Sequence, residues 1–167
     1  MFPEHLPNSE HFPTSELIRS SEATKHNIPN TPPDALLPNA ERLVLLAEEA
    51  RKILALAFGC EIHMILSSGY RCPALNTRAG GSGSRPGEKP SAHMDFRAID
   101  FDPRGVSVSF AFDILRKSAL AYDKIILETD GNTFWIHLQV AREGEVPARR
   151  AFTGIKMHGG QTFKEVK

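Results

Sequence analysis

The chain has 167 residues, 41% of them hydrophobic, and its 20 basic side chains equal its 20 acidic ones. That length suits one domain that buries roughly two-thirds of its unfolded surface. Zero net charge leaves no overall field to draw in nucleic acid or an anionic membrane, so neither is expected as a partner.

Residues 1–38 carry Pro3, Pro7, Pro13, Pro29, Pro32, Pro33 and Pro38, which break any long element. The region reads as an extended leader wrapped on the domain, with one short helix at residues 14–20 anchored by Leu17 and Ile18. It contains no basic start joined to an apolar run and a cleavage site, and no stretch of the chain is long enough to span a bilayer. The expectation is a soluble chain made in the cytoplasm, without membrane insertion, that acts at a cell wall only if released or carried there.

Asn39 is placed to cap the next helix, in which Leu43, Leu46, Ala47, Ala50, Ile53, Leu54 and Ala57 recur at three- and four-residue steps up to Gly59. Its other face, with Glu41, Arg42, Glu48, Glu49, Arg51 and Lys52, reads as solvated. Cys60 and Cys72 are too few for a secreted disulfide scaffold and read as reduced, mostly buried thiols. Residues 61–67 alternate Ile62, Met64 and Leu66 as a largely buried strand, which leaves His63 an ordinary strand histidine and delivers Tyr70 and Arg71 at its end. Residues 80–90, rich in Gly, Ser and Pro, form a mobile loop, either a lid or a permissive insertion. They lack the Gly-Lys-Ser/Thr signature of a phosphate cradle.

Residues 98–101 make a short strand carrying Asp100. After a turn at Asp102-Pro103-Arg104-Gly105, Ser107 or Ser109 opens a helix to about residue 120 that buries Phe112, Leu115 and Ala119. Residues 124–128 and 134–140 form a hairpin across Asp130-Gly131-Asn132-Thr133, and residues 151–156 offer one further strand. The resulting division is a leader over 1–38, a domain over 39–158 with His158 at its end, and a polar tail over 159–167.

The densest chemistry lies in Ser91-Ala92-His93-Met94-Asp95-Phe96-Arg97-Ala98-Ile99-Asp100. Zinc takes nitrogen and oxygen ligands from His and Asp, and a catalytic site keeps three protein ligands with one position open. His93 and Asp100 supply two, and the best third is His137 in Phe134-Trp135-Ile136-His137-Leu138. Spacing by itself leaves open that each is an ordinary polar residue, since a chain with seven His forms such pairs by chance.

Three motifs in order add a resemblance. Ser91-x-His93 followed by Asp100 in an Ala-x-Asp context, then Trp135-x-His137, resembles the zinc D-alanyl-D-alanine carboxypeptidase family, which includes peptidoglycan-cleaving phage endolysins and D-Ala-D-Ala dipeptidases. Ser68-Gly69-Tyr70-Arg71-Cys72-Pro73-Ala74-Leu75-Asn76 resembles that family's Ser-Gly-Tyr-Arg-x-Pro-x-x-Asn segment, and residues 10–17 resemble its leader. The similarity runs from about residue 10 to 140. It implies an α+β fold, a small antiparallel sheet packed on helices, with one zinc ion on the open face of the sheet. It also implies a zinc-bound water as nucleophile and a peptidoglycan peptide as substrate, with phage structural or lysis proteins as possible partners. One departure is visible: the family has Gly three residues after the first His, and Phe96 here requires different local packing.

Relatives take their general base from a Glu three residues before the final His or a His two residues before it. Phe134 and Trp135 stand there. If Gly131-Asn132 is a two-residue turn, Glu128 pairs with Trp135 and shares a face with His137, which makes it the candidate base, whereas a slip of one residue turns it away. Arg71 is the candidate for polarising the carbonyl or binding a terminal carboxylate, with a surface salt bridge as the alternative. Tyr70, Ser91 and Trp135 are candidates for substrate contact; Ser91 also suits orienting His93, and Trp135 also suits the core. Two rivals keep the fold: a non-catalytic, zinc-stabilised binding or phage assembly module, and a peptidase acting on another amide.

Overall fold

The computed structural model describes residues 2–83, 87–157 and 160–166. In place of one helix at residues 14–20 the leader forms α1 (Thr14–Ile18) and α2 (Ser21–Lys25). Arg19 is extended between them, and the Ser20 hydroxyl caps the second start by accepting from the N–H of Ala23. Leu6, Phe12 and Leu17 are buried in the main core, so the leader is packed onto the domain.

A 3-10 turn (Asp34–Leu36) runs into α3 (Leu37–Phe58), three residues ahead of the start expected behind an Asn39 cap. Pro38 is accommodated in the first turn, where a missing N–H leaves no hydrogen bond unmade. Asn39 therefore does not cap; its amide donates to Asp95 O and its oxygen accepts from Arg42. Gly59 ends the helix in the left-handed region, φ 68°. The buried stripe is Ala40, Leu43, Val44, Leu46, Ala47, Ala50 and Leu54, with Ile53 half-buried and Ala57 exposed at its end. Glu48 corrects the expectation of a wholly solvated outer face. It is 5% exposed and accepts from the backbone N–H groups of Glu10 and His11 and from His11 Nδ1, so it pins the leader to α3.

The rest of the chain builds a six-stranded sheet. Its elements are β1 (Met64–Ser68), a short α4 (Pro73–Arg78) that the sequence reading lacked, β2 (Ala98–Pro103), α5 (Val108–Lys117), β3 (Lys124–Thr129), β4 (Phe134–Gln139), β5 (Arg150–Met157) and β6 (Gly160–Val166). The order is β1-β2-β4-β3-β5-β6, antiparallel throughout except for a parallel β3–β5 pair. Residues 160–166, expected in a polar tail, pair along β5 because a backbone ladder does not require apolar side chains. His158 and Gly159 lie outside the described residues, as do residues 84–86 in the loop read as a lid. α5 starts from Ser107, whose hydroxyl accepts from the N–H of Phe110. It stops at Lys117, where Ser118 turns extended, so Leu120 and not Ala119 is buried beyond it. Both cysteines are free, but Cys60 is exposed past the end of α3 and Cys72 is half-buried before α4, contrary to the expected burial. Among the described residues no helix is long and apolar enough to cross a membrane.

The sheet has two unlike faces. Ile99, Phe101, Ile125, Ile136 and Leu138 are fully buried in the core with α3 and α5. Side chains alternate along a strand, so Asp100, His137 and Glu128 stand on the opposite face. The loop before β2 carries the expected departure in packing. Phe96 adopts φ 53°, a conformation suited to Gly, while its fully buried ring stacks on Phe2 and tilts against Tyr70 with centroids 5.5 Å away in each case.

Two predictions follow from this packing. Replacing Phe96 by Gly relaxes backbone strain of about 1–2 kcal/mol but removes a buried aromatic worth about 3–5 kcal/mol. Net destabilisation is expected in urea unfolding, and a more stable variant would contradict the account. For Glu48, burial opposes ionisation, but the hydrogen bonds and charge of His11 outweigh it and lower its pKa from the ordinary 4.5. A depressed folded value means its stabilisation is complete above about pH 4.5 and fades as the pH falls through that value. Glu48→Gln should cost about 1–3 kcal/mol near neutrality and flatten the acid limb of the stability curve, as read by urea unfolding across that range.

Candidate metal centre

Asp100 and His137 are direct partners in the β2–β4 ladder. Opposed side chains in such a pair share a face with Cβ atoms roughly 5 Å apart, so register alone brings the carboxylate to the imidazole. His137 Nδ1 lies 2.9 Å from Asp100 Oδ1. His93 arrives from the loop, with Nε2 3.3 Å from Asp100 Oδ1 and 3.3 Å from His137 Nδ1. All three residues are buried. Ligand atoms held at about 2.0–2.1 Å around a tetrahedral zinc stand roughly 3.3 Å apart. The triangle therefore has the size of one face of that coordination.

Its chemistry fits a cation as well as its size does. His93 Nδ1–H donates to the Gly69 carbonyl at 2.7 Å, which leaves the lone pair on Nε2 and aims it into the triangle. Burial pushes the His93 pKa down to about 4 against the pull of Asp100, so the ring is neutral at neutral pH. Burial also opposes charge on Asp100, but the imidazoles and their hydrogen bonds overcome it and hold the carboxyl well below its usual range. With the His93 proton committed to Gly69, at most one proton, on His137 Nδ1, remains for the three converging atoms. A dication satisfies all three lone pairs, and one carboxylate and two neutral imidazoles are a donor set suited to zinc.

The support for His93 comes from the leader. A Cβ at Gly69 would lie 2.1 Å from Leu17 O, and the next N–H, that of Tyr70, donates to the same oxygen at 2.8 Å. Asn30 donates its amide to Ile18 O and Tyr70 O and accepts from the N–H of Cys72, bracketing the segment from the other side. Arg71, within that clamp, donates its backbone N–H to His93 O at 3.2 Å and places Nη2 3.5 Å from Asp100 Oδ2. Burial lowers its pKa while Asp100 and Glu128 oppose the shift, and its buried Nε has no hydrogen-bond partner among the described residues.

Glu128 pairs with Trp135 in the expected register and so shares the face of His137. Asp130 holds the turn by accepting from the N–H groups of Asn132 and Thr133, with Gly131 at φ 95°. Glu128 is 8% exposed, and its carboxylate accepts from Trp135 Nε1 at 3.0 Å. Burial raises its pKa, with His137 opposing and Asp100 adding to the rise.

The other expected residues divide. The Ser91 hydroxyl accepts from the N–H of His93 at 3.4 Å, which shapes the turn before the ligand. Trp135 is half-buried at the Glu128 side. Tyr70, expected at the substrate, is 4% exposed and sits in the core against Phe96. Two further carboxylates beside the ligand segment take no part: Asp95 engages Arg97, and Asp102 is exposed. Sequence reasoning missed Asn30 and the Gly69 carbonyl. A glycine directly before the motif arginine was the available signal, because it marks a close backbone approach.

The sequence matches the Peptidase M15 family over residues 10–139, from just ahead of α1 to the end of β4. Among curated proteins none matches the chain. Every ligand and clamp described above falls inside that span, which covers most of the chain, and this protein belongs to the Peptidase M15 family of zinc-dependent peptidases.

Proposed function

We propose that this chain is a zinc peptidase that hydrolyses a peptide bond next to D-alanine in peptidoglycan stem peptides, as a D-Ala-D-Ala carboxypeptidase or an endolysin-type endopeptidase. The observation that carries the reading is the convergence of His93 Nε2, Asp100 Oδ1 and His137 Nδ1 on one point of a sheet face that also bears Glu128. When bound there, zinc supplies Lewis acidity, which makes water nucleophilic near neutral pH and polarises an amide carbonyl.

The protein's own residues do the rest. Arg71 is held beside the triangle by Asp100 and keeps a buried N–H without an acceptor among the described residues. A rigid donor fork in that place suits the oxygen of a scissile carbonyl or a terminal carboxylate. Glu128 takes the proton of the attacking water and returns it to the leaving amine, and the upward shift imposed by burial makes it a better base. Ser91 and Trp135 flank the ligands and line the approach of the peptide. A wall substrate requires a route outward, for which phage structural or lysis proteins are the natural carriers.

A non-catalytic, zinc-stabilised module is the second reading, favoured by Phe134 and Trp135 standing where relatives carry the base. Zinc content and cleavage of D-Ala-D-Ala peptides separate the two. His93→Ala and His137→Ala should each abolish zinc retention and hydrolysis. Glu128→Gln should retain zinc and lower kcat by roughly 100-fold or more. Normal turnover in that variant would refute the assigned base, and failure of reconstituted wild-type protein to hold zinc would refute the peptidase. Zinc that raises the melting temperature without hydrolysis at any concentration identifies the module.

A further inference from the structure

The β5–β6 hairpin lies beyond the residues that match the family, yet it extends the metal-bearing face. Register sets Trp135 on β4 opposite Glu128 on β3, Glu128 opposite Gly154 on β5, and Gly154 opposite Phe163 on β6. These four form one row across four strands.

Gly154 is the unusual member. A glycine inside a strand weakens it and contributes no side chain to the face, and its φ is not positive, so the backbone does not require it. Space does. A Cβ there would lie 2.9 Å from Cδ1 and Cε1 of Phe163 and 3.5 Å from Ile126 Cγ2. The half-exposed ring of Phe163 therefore rests against β5 in the gap beside Glu128. Gln161, two residues before Phe163 on β6, shares that face, and its amide is among the groups that draw the Glu128 carboxyl down against the rise imposed by burial. The carboxylate thus accepts from Trp135 on one neighbouring strand and faces Gln161 on a strand two places away on the other side.

We propose that the β5–β6 hairpin is a working part of the catalytic face, with Gln161 a positioning residue that orients the Glu128 carboxylate and Phe163, seated over Gly154, holding β6 where Gln161 can reach. This rests on the assignment of Glu128 as the base.

The test uses the full-length, zinc-loaded chain with D-Ala-D-Ala peptides. Gln161→Ala should lower kcat about 10-fold or more, the usual scale for a supporting hydrogen bond, while KM stays within about twofold and zinc content and melting temperature are unchanged. Adding Gln161→Ala to Glu128→Gln should cause no further loss, because the amide acts through the carboxylate. Gly154→Ala should reproduce the loss by displacing the Phe163 ring. A second readout needs no turnover: Trp135 is the single tryptophan, and its indole N–H signal in a nitrogen-15 correlation spectrum should move in Gln161→Ala toward its place in Glu128→Gln. Unchanged kcat with an unmoved indole signal overturns the proposal, as does an equal loss in the Glu128→Gln background. If wild-type protein hydrolyses no D-alanine peptide, the function reading fails, and the indole signal decides the positioning role by itself.

Discussion

The metal centre depends on the hydrogen bond from His93 Nδ1 to the Gly69 carbonyl. A neutral buried hydrogen bond of this kind contributes only about 1 kcal/mol net to stability. Its larger effect is to select a tautomer, since the opposite proton placement would aim an N–H instead of a lone pair at Asp100 and His137. That carbonyl is in place because position 69 has no side chain to strike Leu17 O and because Tyr70 and Asn30 fasten the two segments together. Glu48 secures the earlier part of the same leader to α3. A proline-broken segment that carries no ligand is therefore one step removed from the metal site.

The polar face of the sheet separates two carboxylates by their surroundings. Asp100 sits between two imidazoles and Arg71, partners that favour its ionised form and its use as a ligand. Glu128 is shifted in the opposite direction by its burial, with Asp100 adding to the rise, and the neutral Trp135 N–H and His137 only partly offset it. Titratable groups whose environments push them apart are the physical basis for dividing acid–base work. In this chain the division is made by position across the sheet: Asp100 is on β2, and Glu128 is on β3, two strands further toward β5.

Periodicity and residue type made much of this legible. The apolar steps of α3, a serine cap for α5 at Ser107 or Ser109 and the β3–β4 register could be read because each depends on local pattern or on a turn that fixes register, and the three converging ligands because their residue types stand in motifs that resemble a family. What escaped depended on partners far along the chain. Glu48 looked like one more charge on a solvated helix face, and only the returning leader gives it N–H groups to accept from. Residues 160–166 looked like a tail because β6 has no apolar alternation. Backbone pairing to β5 carries it, and a parallel β3–β5 contact is set by topology, which composition does not reveal. Tyr70 adjoined the motif arginine, but neighbours in a chain leaving a strand turn opposite ways, and it went to the core.

Sheet and loop carry unequal burdens in building the triangle. Asp100 and His137 are positioned by a ladder that repeats the same spacing at every pair, so they need little beyond correct register. His93 has no such support and must be fixed by individual contacts. Its loop is closed by Phe96 N–H to His93 O and Arg97 N–H to Ala92 O, while Asn39 reaches from α3 to Asp95 O. The buried guanidinium of Arg97 bonds Val140 O just past β4. The left-handed turn at Phe96 belongs to the same set. The conformation is required by the loop path, and where a glycine would supply it without strain, this chain supplies it with an aromatic ring whose packing against Phe2 and Tyr70 offsets the backbone cost. The ring thereby ties the ligand loop to both the leader and the segment that carries Arg71, so a residue that departs from the family pattern strengthens the connection on which the third ligand depends.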